Sequence, residues 1–293
     1  MNIAILGSGG DGAGMNKCLF EIAKRLKRHN IIMFYRGYQG LIDNTVIKLS
    51  LPILRKEEGK GGIIIKSSRS PEFMTEMGFN KAVQTLKSHR IDVLIIMGGN
   101  GSLKGARELI KSGINVLFIP TTIDNDISES DYSIGFDTAV ANAVDFVKKV
   151  DTSMQAFDRT CIYEVMGRHA PDIAERVAKI TNADFCYTSN STKEDMVNSI
   201  KKVLKSDLSP KIILQENVVD ANELKDYLNS KIDGLDIKVA IVGYVQRGGD
   251  ATKRELKMAK QFAKNICNLV ANKDFNKIVC YDKASNMFLS KKI

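Results

Sequence analysis

A chain of 293 residues with 44% hydrophobic and 26% charged content is long enough for a large core, or for two lobes, and has an ordinary globular composition. No apolar run reaches the roughly 18 residues of a membrane span, and the scattered Cys18, Cys161, Cys186, Cys267, Cys280, His29, His89 and His169 lack the spacing of a disulfide framework or a zinc site. Part of the excess behind the formal charge of +9 sits on lysine-rich helical stretches without interleaved aromatics, which favours a solvated surface or a small anionic substrate over nucleic acid.

Strand and helix signals alternate from end to end, the pattern of a mostly parallel α/β architecture. Strands are predicted at 2–7, 31–35, 92–97, 115–119, 160–165, 183–187, 211–215, 238–243 and 277–281. Amphipathic helices are predicted at 15–29, 72–89, 102–112, 138–156, 170–181, 193–206, 220–231 and 251–272. The opening stretch Met1–Gly7 reads as a strand rather than a signal peptide, because no basic residues precede it and a glycine loop follows at once, so a cytoplasmic location is expected. A lobe boundary is expected near Ser133-Ile134-Gly135, with a return near Gly248-Gly249.

Three turns carry the chemistry. The first strand ends in a loop from Gly7 to Gly14, whose small residues let backbone N–H groups approach phosphate oxygens at a helix N-terminus. Gly7, Gly9 and Gly12 satisfy GxGxxG, yet no carboxylate closes the second strand; Arg36 stands there and keeps an NADP-dependent oxidoreductase open as an alternative. A second loop, Gly98-Gly99-Asn100-Gly101-Ser102, follows the strand at 92–97, and Pro120–Ile127 follows the strand at 115–119 with Asp124, Asn125 and Asp126. An Asp at the carboxyl end of such a strand suits proton abstraction from a sugar hydroxyl or support of Mg²⁺ beside phosphates; the same residues also suit an Asx-rich turn. Three phosphate-competent turns on one sheet edge favour a nucleotide phosphate chain, and Arg69, Arg159, Arg168 and Arg247 beside strand or helix ends suit a second phosphate.

These residues resemble the ATP- or pyrophosphate-dependent 6-phosphofructokinases of glycolysis. The ordered matches are Gly9-Gly10-Asp11 with Gly14-Met15-Asn16, Pro120 with Thr122-Ile123-Asp124-Asn125-Asp126, Glu164-Val165-Met166-Gly167-Arg168, and Gln246-Arg247-Gly248-Gly249. The resemblance implies an α/β fold of two Rossmann-like lobes with mostly parallel sheets and the active site in the cleft. Residues 1–134 with 248–282 form its donor lobe, and residues 135–247 with 283–293 its sugar-phosphate lobe. It implies Mg²⁺-dependent transfer from ATP to the 1-hydroxyl of fructose 6-phosphate, giving fructose 1,6-bisphosphate. Asp124 is then the catalytic base, with Thr122, Arg168 and Asp126 beside it. Gly9, Arg69, Gly99, Asn100, Gly101 and Ser102 meet the donor, and Asn100 and Asp126 meet the metal. Met166, Gly167, Arg168, Glu216 and Arg247 meet the sugar phosphate in the same subunit, and Tyr244 stands at a further sugar-phosphate contact. Arg159 and Lys238 reach it from a neighbouring subunit, so a homo-oligomer with shared sites is implied.

The departures are specific. Asn100 replaces an Asp that helps bind Mg²⁺, Lys238 and Tyr244 replace Arg and His, and Thr121 replaces both the Gly of ATP users and the Lys of pyrophosphate users. Phe20 and Asn190 stand where regulated bacterial members carry effector-binding Arg and Glu. Pyrophosphate as donor, and a weakly active or non-catalytic paralogue serving as a sugar-phosphate-binding regulatory subunit, are the alternatives.

Overall fold

In the computed structural model, which describes residues 1–206 and 209–293, the chain divides into two units: Met1–Asp137 with Gly249–Ile293, and Thr138–Gly248. Unit 1 is built on β1 (Asn2–Ser8), whose Ile3, Ala4, Ile5 and Leu6 are all fully buried. Burial on both faces is why this stretch reads as a continuous apolar run rather than an alternation. Parallel β2 (Asn30–Phe34) lies on one side of it, and β4 (Val93–Gly98) followed by β5 (Val116–Pro120) on the other. The antiparallel β3 (Val46–Ile47) closes one edge, and β10 (Lys277–Asp282) with antiparallel β11 (Met287–Lys292) closes the other. The resulting seven-stranded order is β11-β10-β5-β4-β1-β2-β3.

Period-2 geometry sends Ile3 and Ile5 to one face and Ala4 and Leu6 to the other. The first pair packs with Leu19 and Ile22 of α1 (Met15–Arg25) and Phe262 and Ile266 of α10 (Lys253–Ala271). The second pair packs with Leu41 of α2 (Gly37–Ile42), Leu86 of α4 (Glu76–Ser88) and Leu103 of α5 (Asn100–Lys111). The helix predicted at 72–89 is divided, because Thr75 leaves helical geometry and caps α4, accepting from Gly78 N at 3.1 Å. The short α2, α3 (Leu51–Glu57), β3 and β11 were not predicted.

Unit 2 holds a parallel four-stranded sheet in the order β7-β8-β6-β9, formed by β6 (Thr160–Val165), β7 (Phe185–Tyr187), β8 (Lys211–Gln215) and β9 (Ile237–Ile241). Most of α6 (Phe136–Gln155) lies in this segment, with α7 (Asp172–Thr181), α8 (Lys193–Val203) and α9 (Ala221–Asn229). One assignment needs correction. Residues 283–293 were expected with the second lobe, but β11 pairs with β10 from Lys277↔Lys292 to Asp282↔Met287 and so belongs to unit 1. The cause is local: Asp282 accepts from Ser285 N at 3.1 Å, Asn286 takes a positive φ of 56°, and Phe288 returns onto Phe262. Among the described residues no helix is long and apolar enough to cross a membrane.

Candidate active site

In unit 1 the registers Ser8↔Gly98 and Gly98↔Pro120 bring the carboxyl ends of β1, β4 and β5 level. The three predicted turns therefore stand side by side. The chain leaves β1 towards β2 and leaves β4 towards β5, so the loops at Gly9 and Gly99 flank a topological switch point, where open α/β sheets bind ligands. Both α1 and α5 start here with no acidic residue in their own first turn and no side-chain cap, so backbone N–H groups at their positive dipole ends border the loops. Ser102 locks the two loops by donating from Oγ to Ser8 O at 3.1 Å. A Cβ at Gly98 would lie 2.5 Å from the Ser102 side chain, so the close approach requires glycine. Ser67 donates to Gly9 O at 2.8 Å and ties the segment carrying exposed Arg69 to this edge.

The acidic turn is braced from within. Asn125 adopts a left-handed φ of 55°, and its Oδ1 accepts from Ser133 N at 2.9 Å. Ser133 Oγ donates to Thr122 O at 2.7 Å, and Asp124 N donates to Thr122 Oγ1 at 3.2 Å. Asp124 is half-buried, whereas Asp126 is exposed. Asn100 Nδ2 donates to Asp126 O at 3.0 Å, linking the second turn to the third. Thr121 is buried, its N–H donates to Gly98 O at 2.9 Å, and its hydroxyl has no hydrogen-bond partner. Predicted donor residues Gly9, Gly99, Asn100, Gly101 and Ser102 thus share one edge with Thr122, Asp124 and Asp126.

In unit 2 the turn Met166-Gly167-Arg168 leaves β6 in a conformation that needs support, with φ of 156° at Gly167 and 52° at Arg168. A non-glycine residue held at such a φ costs about 1–3 kcal/mol. Gln246, fully buried, meets Met166 twice: its Oε1 accepts from Met166 N at 2.9 Å and its Nε2 donates to Met166 O at 3.1 Å. Glu216 Oε1 accepts from Gly167 N at 3.0 Å and from Arg168 N at 2.7 Å, and Gln215 Nε2 donates to Arg168 O at 3.3 Å. Arg247 ends the turn Gly243–Arg247 that follows β9, and Tyr244 in that turn is 82% exposed.

Arg159 and Lys238 stand apart from this group. Arg159 precedes β6 and Lys238 is near the start of β9, whereas Arg168, Glu216 and Arg247 follow the strand ends. A six-residue strand advances roughly 20 Å. Arg159 and Arg168 of one chain therefore lie too far apart to grip the same phosphate.

A family profile described as Phosphofructokinase matches residues 2–270. The chain belongs to the phosphofructokinase family. It is 35% identical over 294 residues to the probable ATP-dependent 6-phosphofructokinase of Malacoplasma penetrans, across 96% of this chain and 90% of that protein. It is 34% identical over 284 residues to the ATP-dependent 6-phosphofructokinase of Clostridium botulinum, across 94% of this chain and 88% of that protein. The solved phosphofructokinase of Saccharomyces cerevisiae superposes with a TM-score of 0.88 at 26% identity, covering 99% of this chain and 44% of the yeast one. This chain therefore spans less than half of that yeast protein's length. Membership of the phosphofructokinase family displaces the dinucleotide-enzyme alternative raised by Gly7, Gly9 and Gly12.

Sequence reasoning gave Gln215, Gln246, Ser67 and Ser133 no role in the site. All four act by hydrogen-bonding backbone groups, which leaves no signature in composition or spacing; only the motif around Arg247 hinted at Gln246. Glu164 was read as part of a motif, and its carboxyl is pushed above the usual range by burial and by the charges of Glu216 and Asp220. For a divalent cation, no group of three or more His, Cys, Asp or Glu stands together among the described residues. Exposed Asp126 and the amide oxygen of Asn100, beside two helix N-termini suited to phosphate, fit Mg²⁺ that arrives with phosphate oxygens as co-ligands.

Proposed function

We propose that this phosphofructokinase-family chain transfers the terminal phosphoryl group of ATP to the 1-hydroxyl of fructose 6-phosphate, giving fructose 1,6-bisphosphate in an Mg²⁺-dependent, cytoplasmic reaction. The observation that carries the reading is the edge where the three turns of unit 1 converge, with Asp124 braced beside two uncapped helix N-termini. Relatives named as ATP-dependent support ATP as the donor.

Phosphoryl transfer asks mainly for alignment and for neutralisation of charge. The N–H groups at Gly9, Gly99, Gly101 and Ser102 hold donor phosphates, and Arg69 adds positive charge on the same segment that Ser67 anchors. Asp124 accepts the proton of the incoming hydroxyl, and Thr122 sets the turn that aims it. Mg²⁺, held by Asp126 and Asn100 Oδ1, supplies neutralisation of phosphate charge. Unit 2 holds the sugar phosphate: the Met166–Arg168 turn presents Arg168, Glu216 keeps Oε2 for a sugar hydroxyl after using Oε1 on the turn, and Tyr244 and Arg247 follow on the Gly243–Arg247 turn after β9. The strand-length separation of Arg159 and Lys238 from Arg168 supports a shared site, in which those two residues serve a second copy of the chain.

The test is a coupled assay of the purified chain with fructose 6-phosphate and either ATP or pyrophosphate. ATP-dependent formation of fructose 1,6-bisphosphate is expected, and Asp124→Ala lowers kcat by roughly 10²–10⁴. No product with either donor overturns the reading, and product with pyrophosphate alone overturns the choice of ATP.

A further inference from the structure

Asp236 has no part in the reading so far, yet it joins the two cations assigned to the neighbouring copy's sugar phosphate. Its Oδ2 accepts from Arg159 Nε at 2.7 Å, and its Oδ1 pairs with Lys238 Nζ at 2.6 Å. The sheet dictates this. β6 and β9 are parallel with Thr160↔Ile237 and Cys161↔Lys238 in register, so one further step back sets Arg159 against Asp236. Asp236 and Lys238 are two apart and share a face of that strand.

Arg159 is also held from below. Phe157, Asp158 and Arg159 close α6 by a Schellman turn: Arg159 N donates to Met154 O at 3.1 Å, Asp158 N to Gln155 O at 3.4 Å, and Asp158 takes the left-handed φ of 52°. That turn places the Phe157 ring 4.5 Å from the guanidinium carbon, although the ring is itself 63% exposed. An exposed phenyl ring gains little by packing there, and stacking on a cation that must stay in one orientation accounts for it.

We propose that Asp236 is a positioning residue that locks Arg159 and Lys238 into a single two-cation grip for the phosphate of a sugar phosphate. The proposal rests on the functional reading above. The geometry favours positioning over competition with the ligand. Asp236 occupies Arg159 at Nε, leaving both Nη groups as donors, and it takes one of the three protons on Lys238 Nζ. The triad keeps a net charge of +1 and retains donors beyond those that Asp236 uses. Removing Asp236 leaves two like charges without a mediator, and both long side chains then splay. The carboxyl of Asp236 is held below its usual range by the hydrogen bonds from Lys238 and Arg159, so the triad stays charged through the neutral range.

The experiment compares wild type with Asp236→Asn, Asp236→Glu and Phe157→Leu, as full-length protein. KM for fructose 6-phosphate, KM for ATP and kcat are measured, and light scattering and thermal melting are run alongside. Asp236→Asn raises KM for fructose 6-phosphate by roughly five- to tenfold and changes kcat and the ATP KM by less than about twofold. Asp236→Glu restores most of the loss, and Phe157→Leu raises the same KM by about two- to threefold. An unchanged or lowered KM in Asp236→Asn overturns the proposal, the second result marking Asp236 as a competitor of the phosphate. So does loss of the oligomer or of the fold in that variant together with normal fructose 6-phosphate KM in Phe157→Leu. Wild type without turnover defeats the functional reading instead. Calorimetric titration with fructose 6-phosphate then still decides for the grip: weaker binding by Asp236→Asn than by wild type upholds it, and equal binding or none by either protein refutes it.

Discussion

Asn100→Asp restores a carboxylate next to the place assigned to Mg²⁺, and the structure sets the size of the effect. Asn100 Nδ2 donates to Asp126 O at 3.0 Å, a bond that an aspartate cannot make and that it replaces with two facing oxygens. Such a bond contributes about 1 kcal/mol net. A carboxylate in place of an amide strengthens the hold on a cation by about 2 kcal/mol where bound substrates exclude water. The lost bond is missing with and without metal and so cancels in the metal affinity, leaving about 2 kcal/mol, or roughly a thirtyfold fall in the free Mg²⁺ needed for half-maximal activity. The same substitution lowers the melting temperature by about 2 °C when neither nucleotide nor metal is present, because only the loss is then expressed. Initial rates against free Mg²⁺ at fixed ATP, with melts of both proteins, test the two halves separately. Superimposable Mg²⁺ curves mean that residue 100 does not handle metal. A right-shifted curve means that its bond to Asp126 matters more to the turn than any charge.

Glu164→Gln stabilises the protein in urea at pH 7–8 and has no effect near pH 4.5; because the folded carboxyl titrates above the ordinary 4.5, the stability of its neutral form is complete below that value and is lost as pH rises through the folded pKa. An equal effect at both pH values refutes this. Thr121→Val, which removes a buried hydroxyl without a partner, stabilises by about 1–2 kcal/mol with kcat preserved; a large fall in activity shows that the hydroxyl meets a ligand. Co-refolding inactive Arg168→Ala with inactive Arg159→Ala/Lys238→Ala restores part of the activity, since mixed assemblies regain intact shared sites, whereas no recovery places each site within one chain.

The parts of the fold that could be read beforehand are those where burial dictates sequence. β6 and β8 stand at the predicted 160–165 and 211–215, because a strand buried on both faces admits only an apolar run between polar ends. β11 escaped because its side chains are mostly exposed and it needs only a turn and one anchoring Phe288. α2 and α3 escaped because six and seven residues make fewer than two helical turns, too short a window to establish a period. The glycine turns were legible for a steric reason: Gly98 touches Ser102, and no larger residue fits. What fixes those turns was not legible. Gln246 clasping Met166, or Ser133 reaching Thr122, is a pairing between distant residues of ordinary type, and it exists only once the strands have set their register. The separation of Arg159 from Arg168 was equally hidden, since it depends on which end of β6 each residue occupies.

The first helix argues against control by phosphate-bearing effectors at the place the family resemblance suggests. Phe20 is only 7% exposed and packs into the core, so it offers no donor to a phosphate. Two cations of this helix are already engaged, whereas exposed Lys24 stands 5.8 Å from the Phe20 ring. Lys17 pairs with Glu58 and, at 3.1 Å, with Glu21, and Arg25 meets Glu21 at 3.5 Å. Burial pulls the Lys17 pKa down, but its hydrogen bonds to Glu58 and Glu21, with their charges, outweigh it and the net direction is up, as for an ammonium satisfied by its own neighbours. An incoming phosphate would have to displace two carboxylates from a partly buried cation, and would find no arginine fork in exchange for that cost. Saturation by fructose 6-phosphate is therefore expected to move by less than about twofold with millimolar phosphoenolpyruvate or ADP, measured at constant ionic strength so that charge screening is held fixed. A larger shift that disappears in Lys17→Ala would show that the ion pairs around Phe20 open to admit an effector, and the reasoning from their closure would be wrong.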